Sequence, residues 1–162
     1  AGYRLRRYLA FLDPWEEPLD SGFQVIQGMV AFANGGLLGV GVGKGLQKLN
    51  YLPAAHTDYI FATIGEEFGF VGSFMVVLLF CIWTFRAYST YRKAEDPFHA
   101  SLIWGLSASM LIPFFINLGG VLKLMPLTGI PLPFISYGGS SLLFMWIRVG
   151  LIMRVCKEAS LS

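Results

Sequence analysis

Of 162 residues, 55% are hydrophobic and 14% carry a formal charge, and the mean hydropathy is +0.60. A soluble domain carries about 25% charged residues, so the composition excludes an ordinary soluble globule and selects a membrane protein. The net charge of +2 is too small to suggest nucleic acid, and Cys81 and Cys156, far apart and without C-x-x-C spacing, build neither a disulfide framework nor a zinc site.

The chain opens AGYRLRR, with no initiator Met and no signal-peptide pattern, and is expected to be the C-terminal part of something longer. YRLRRYLAFL alternates bulky apolar and basic residues, a pattern suited to a membrane interface. GFQVIQGMVAFAN, Gly22 to Asn34, is free of charge but only 13 residues long, which suits a re-entrant or interfacial helix better than a span. Next comes GGLLGVGVGKGLQK, with six glycines between Gly35 and Gly45. It fails as a phosphate loop, because Gly45 rather than Ser or Thr follows Lys44, and Leu38 stands where a glycine is needed. The better reading is a tight irregular loop with positive φ angles. Its amides, with Lys44 or Lys48, could still meet an anion.

PAAHTDYIFATIGEEFGFVG, Pro53 to Gly72, sets three carboxylates at the start of an apolar run. Thr57 and Asp58 are favoured helix caps, so a helix is expected to start there. Run straight to Tyr91, it would be roughly 50 Å long, against a hydrocarbon core of about 30 Å. Its first turns must stand outside the bilayer, or it must bend at Gly69 and Gly72. Asp58 reads either as a cap facing water or as a general base that orients a substrate hydroxyl. A same-helix dyad of Asp58 with Glu66 or Glu67 is disfavoured. Eight or nine residues give about 12–13.5 Å of rise, and glycosidase carboxylates lie roughly 5–9.5 Å apart. Glu66 and Glu67 read as interfacial residues or partners of basic side chains.

Three spans follow: Phe68 to Phe85, Phe98 to Leu122, and a third from near Pro133 to about Val155. Basic residues cluster at Arg86, Arg92 and Lys93 and at Arg154 and Lys157, against Lys123 alone in the loop between spans two and three. Residues 86–98 and the C-terminus are therefore expected to be cytoplasmic, with residues 1–57 and loop 123–133 outside. Asn117 and Arg148 are costly in lipid and should face protein or a watery cavity, although Arg148 can also snorkel to the cytoplasmic interface. In MPLTGIPLPFISYGGSSLL, Met125 to Leu143, prolines precede a helix start holding Ser136, Tyr137, Ser140 and Ser141. Small residues there permit close helix packing; otherwise the hydroxyls line a polar cavity. A metal held by His and Cys alone is disfavoured, since His56 has no second His nearby, but a divalent cation could bridge Asp58 to a diphosphate. The fold class expected is an all-α integral membrane protein. Residues 1–57 form a large extracytoplasmic loop with short interfacial or re-entrant helices, and 58–162 hold three transmembrane helices.

QKLNYLPAAHTDYIFATIGEEFGFVG, GIPLPFISYGGSSLL and FLDPWEEPLDSGFQVIQ closely resemble the SEDS family over essentially the whole chain. The QKL-YLP lead-in and the DPWE segment tilt the likeness toward its cell-division rather than its elongation members. The resemblance implies a multi-pass protein of the bacterial inner membrane with about ten helices, of which this chain would supply the last three. It implies a peptidoglycan glycosyltransferase that polymerises lipid II beside a class B penicillin-binding protein and other division-complex membrane proteins, in contact with membrane lipid and without nucleic acid. The family's essential aspartate falls on Asp58 within His56-Thr57-Asp58-Tyr59-Ile60-Phe61, where only Tyr59 replaces Phe. Its I-S-Y-G-G-S-S motif falls on Ile135 to Ser141, near the family's central cavity. His56, Thr57, Lys48, Ser136, Tyr137, Ser140 and Ser141 are the expected substrate-binding residues. Ala54 stands where Glu often occurs, Lys123 where a small residue is usual, and Thr128 where some members carry Lys. Beyond an optional Mg or Mn ion no cofactor is implied. Two other roles remain open at this point: a transporter that flips lipid II, and a scaffold that recruits the penicillin-binding protein.

Overall fold

The computed structural model describes residues 9, 11–16, 22–45 and 57–159. The expected positions His56 and Lys48 lie outside the described residues. Regular structure among those described is all helical, and four helices organise it: α1 (Phe23–Gly35), α2 (Ile60–Lys93), α3 (Pro97–Val121) and α4 (Gly139–Ala159). The last three are long and apolar enough to cross a membrane. α3 packs against both α2 and α4 and is the most buried, with 39% of its apolar window covered against 11% and 17%.

Local chemistry fixes the helix ends. Asp96 caps α3 by accepting from the Phe98 N–H at 3.0 Å, and Pro97 occupies the first turn, where no N–H is needed. At its other end the Leu124 N–H reaches the Gly119 carbonyl at 2.8 Å and the Lys123 N–H reaches Gly120 at 3.2 Å. This is the two-bond Schellman closure, with Lys123 at φ 56 in the position that glycine usually takes.

α2 does not start at Thr57 or Asp58. Residues 57–59 form a turn, Tyr59 takes the cap position at φ −104 and ψ 15, and no side chain caps the helix. The first helical N–H groups turn instead to the Tyr59 carbonyl, from Ala62 at 2.9 Å and Thr63 at 3.3 Å. Likewise α4 begins at Gly139 rather than near Pro133, because the Ser136 hydroxyl and amide hold residues 132–136 in a turn and Phe134 sits at φ 65.

The expected bend in α2 falls at Gly69 alone, at φ 68 and ψ −162. The glycine-rich loop after α1 fills the break. In an unbroken helix the Phe70 and Val71 N–H groups would bond the Glu66 and Glu67 carbonyls. Here Phe70 donates to Gly36 at 2.9 Å and Val71 to Leu37 at 3.2 Å, while Val40 and Gly41 donate to the freed Glu66 and Glu67 carbonyls, each at 3.0 Å. Two intrahelical bonds are thus replaced by four bonds to the loop, which is how a helix can break without stranding backbone groups. The expected positive φ angles are present at Gly36, Gly39, Gly41 and Gly43. Only glycine fits this lock: a Cβ at Gly39 would collide with the Glu67 carbonyl, and one at Gly69 with the Gly39 and Leu37 backbone. Beyond the break, the residues from Phe70 to Lys93 run roughly 36 Å, enough for a bilayer core.

Glu66 and Glu67 do not face solvent. Both are buried on the first segment of α2, with their side chains against Gly45. α1 lies across that same segment, with Gly28 under the Tyr59 ring, Gly65 under the Phe32 ring, and Phe32 and Phe61 5.9 Å apart. Tyr59, Phe61, Phe114, Val121 and Leu132 form the main core, and Phe80 stacks on Phe114 at 3.8 Å. The larger of the two buried clusters among the described residues therefore surrounds the Asp58 turn.

Candidate active site

Three elements meet at Asp58: the turn before α2, the last part of α3, and the connection from α3 to α4. Asn117, 1% exposed, lies on the inner face of α3. Its Nδ2 donates to the Asp58 carbonyl and to the Ile130 carbonyl, both at 2.8 Å. Ser136 Oγ donates to the Thr57 carbonyl at 2.6 Å and accepts from the Leu132 N–H at 2.7 Å. Two consecutive carbonyls of the His-Thr-Asp motif are thus gripped by side chains 59 and 79 residues further along the chain. Below them the Tyr59 ring is 1% exposed. The backbone of Asp58 is fixed on three sides, while Thr57 and Asp58 themselves stay half-buried.

Of the residues expected from sequence, Thr57, Asp58 and Ser136 come together here. Tyr137 is 83% exposed and Ser140 is exposed, whereas Ser141 is half-buried in the first turn of α4. Their hydroxyls follow the clamp along the chain but take no part in it. Asn117 is the member of this hydrogen-bonded cluster that the site expectation lacked. Its signal was present, since an amide inside an otherwise apolar span needs polar partners. What sequence could not supply was the identity of those partners. Among the described residues, Asn117 Oδ1 has no hydrogen-bond partner.

Among the described residues, no group of three or more His, Cys, Asp or Glu side chains could hold an ion.

Fold and site together define a helical, multi-pass membrane protein whose polar chemistry gathers at one end of its spans. A sequence model of the family of FtsW, RodA and SpoVE, described as a cell cycle protein, matches residues 1–161, and the chain belongs to that family. It is 45% identical to the probable peptidoglycan glycosyltransferase FtsW of Geobacter metallireducens, over 94% of this chain and 41% of the relative. It is 46% identical to the protein of the same name from Methylococcus capsulatus, over 100% of this chain and 42% of the relative. Identity to the stage V sporulation protein E of Bacillus subtilis is 44%, over 97% of this chain and 43% of the relative. The chain therefore spans about two-fifths of the length of the curated relatives it matches.

Proposed function

We propose that this chain forms the C-terminal part of a membrane peptidoglycan glycosyltransferase that polymerises lipid II during cell division, with Asp58 as its general base. The observation that carries the reading is the clamp on Asp58. A carboxylate whose backbone is held by Asn117 and Ser136, while the residue stays half-buried, is pre-organised for one task in one place. The printed names of the relatives support the reaction class.

In this mechanism the acceptor's GlcNAc 4-hydroxyl attacks the anomeric carbon of the donor, and its proton passes to the Asp58 carboxylate. The bond from that carbon to the diphosphate oxygen breaks, and polyprenyl diphosphate leaves with the electron pair. A diphosphate departs without being protonated, so no acid is needed opposite Asp58. Its charge calls for cations. Lys48, Arg4, Arg6 and Arg7 are the candidates in the sequence, and a Mg or Mn ion carried on the diphosphate would find one chain ligand in Asp58. His56, Thr57, Ser136, Tyr137, Ser140 and Ser141 would bind the substrate around it. The lipid-linked sugar lies just outside the bilayer, so residues 1–57 would face out and the C-terminus would face the cytoplasm. A class B penicillin-binding protein and other division proteins are the proposed partners.

The test uses the protein in its complete natural form, reconstituted with its penicillin-binding protein and lipid II. Asp58→Asn should keep lipid II binding and lose strand formation by about 10²-fold or more. Equal strand formation by both proteins would remove Asp58 from the chemistry. Lipid II that crosses the bilayer while neither protein makes strands would favour the transporter. Defects confined to exposed helix surfaces would favour the scaffold.

A further inference from the structure

Two side chains on facing helices carry buried polar atoms that the described residues leave unanswered. Ser107 of α3 is wholly buried, yet its Oγ has no hydrogen-bond partner there, and neither has Trp83 Nε1 on α2. A buried polar group without a partner carries its full desolvation cost, so it marks a place that something else completes. Both residues line one cavity of about 440 Å³ between α2, α3 and α4, and Arg86 lines it with them. The Arg86 guanidinium also has no partner among the described residues. No acidic residue lines the cavity. Nearby, Asp96 caps α3 and Glu158 pairs with Arg154. The wall thus offers a guanidinium, an indole N–H and a serine hydroxyl with no carboxylate to receive them. Ile103, Val149, Ile152 and Met153 make much of the rest apolar.

Aromatic rings give the height of this cavity in the bilayer. Trp104 of α3 packs on Tyr88 and Tyr91 of α2, with ring centroids 5.9 Å apart in each pair, and all three are exposed. Exposed Trp and Tyr at the end of a span mark the membrane interface. Arg86 ends the charge-free run from Phe68 to Phe85 and lies two residues, about 3 Å of rise, from Tyr88. It therefore stands at headgroup level. Trp83 is three residues, about 4.5 Å, further into the span. Trp83 also borders a second cavity of about 260 Å³, walled by Leu79, Phe80, Met110 and Phe134. A fitting ligand brings an anion at headgroup level, neutral acceptors about one turn deeper, and an apolar tail. A glycerophospholipid has these in that order: phosphate, ester carbonyls, acyl chain. A helix would fit the apolar walls, but its carbonyls are bonded within itself and leave the donors unmet. Asp58 precedes the opposite end of α2, so this is not the site of the proposed reaction.

We propose that the cavity binds an anionic glycerophospholipid, with its phosphate on Arg86 and its ester carbonyls toward Trp83 and Ser107. The proposal stands apart from the glycosyltransferase reading, and its readouts need no enzymatic activity. In native mass spectrometry, the complete natural protein purified in detergent should retain phosphatidylglycerol about tenfold over phosphatidylcholine. Arg86→Gln should lower that retention about tenfold, and Arg86→Lys, which keeps the charge without the planar fork, by less. Ser107→Ala should lower it about threefold, while the lipid-free protein melts at or above the wild-type midpoint. Phosphatidylglycerol brominated on its chains should quench the fluorescence component that Trp83→Phe removes. Equal retention of the two lipids overturns the proposal, and so does an Arg86→Gln protein that retains phosphatidylglycerol like wild type. Thermal protection by inorganic phosphate as strong as by the lipid would assign Arg86 to a free anion and overturn it. Retained lipid that leaves Trp83 unquenched would mean that another part of the protein fills the cavity, and this too overturns it.

Discussion

The two ends of the helix bundle are joined by opposite means. At the Asp58 end, buried side chains hold backbone carbonyls: Asn117 spans Asp58 and Ile130, and Ser136 takes Thr57. At the other end α3 and α4 meet through exposed ionisable side chains. His99 lies 3.4 Å from Asp96 and 3.9 Å from Glu158, which Arg154 also reaches at 2.6 Å, and these side chains are 27–68% exposed. A buried bond left half-made costs the full desolvation of the orphaned group, whereas exposed pairs are screened and contribute little. The difference teaches that this molecule concentrates its conformational precision around one turn and leaves the opposite end loosely tied.

The sharpest way to break that contrast is through the glycine lock. Gly69→Ala would put a Cβ into the loop backbone at a φ/ψ combination open essentially only to glycine. Gly39→Ala would do the same from the loop side. Each should destabilise by about 3 kcal/mol or more, through strain added to overpacking. The check is the thermal midpoint in detergent together with protease nicking between α1 and α2. A wild-type midpoint for either variant would mean that the loop and the break are not coupled.

Next in size is the clamp. Asn117→Ala strands the Asp58 and Ile130 carbonyls and should cost about 2–3 kcal/mol. Asn117→Asp should behave alike, because a carboxylate cannot donate to either carbonyl. Ser136→Ala should lose less than Asn117→Ala, and Ser136→Thr, which keeps the hydroxyl, should lose least. Chemical denaturation read by tryptophan fluorescence ranks the four. If Asn117→Ala proves as mild as a change at an exposed pair, the Asp58 end is not the better-determined one.

Much of this architecture was legible in the sequence. Charge-free runs gave the three long helices, and the density of glycine marked an irregular loop with positive φ angles. What could not be read was pairing across distance. Gly69 announces a bend, but nothing local says that the Gly36–Gly41 loop fills it, since the bonds run between backbone groups that every sequence possesses. Thr57 and Asp58 look like caps by residue type. The turn won because Asn117 and Ser136, far along the chain, draw their carbonyls away from a helical course. Asn117 was visible as an expensive amide but anonymous in its purpose. Glu66 and Glu67 looked interfacial by charge alone, and only the packing of Gly45 against them reveals burial.

A smaller test sharpens the comparison from the favourable side. Lys123 closes α3 in the left-handed region at φ 56, where an L side chain is strained by about 1–2 kcal/mol. Lys123→Gly should therefore raise stability by about 1 kcal/mol, less whatever the freer unfolded chain takes back. A rise in the thermal midpoint without change in membrane accumulation would show that the Schellman closure, rather than the lysine's charge, is what this connection needs.

The smallest effect belongs to the charged end. Removing the imidazole in His99→Ala deletes one contact to Asp96 and a long one to Glu158, yet Asp96 still caps Phe98 and Arg154 still holds Glu158 one turn away. No buried group is orphaned, so the loss should stay below about 1 kcal/mol. It should also fade in about 1 M salt, where the screening length falls to about 3 Å, while the Asn117→Ala loss should not. The salt response separates the two ends even if the magnitudes fall close together. A His99→Ala defect that matches the clamp in size and ignores salt would mean that α3 and α4 are locked at both ends, and the division drawn between them would fail.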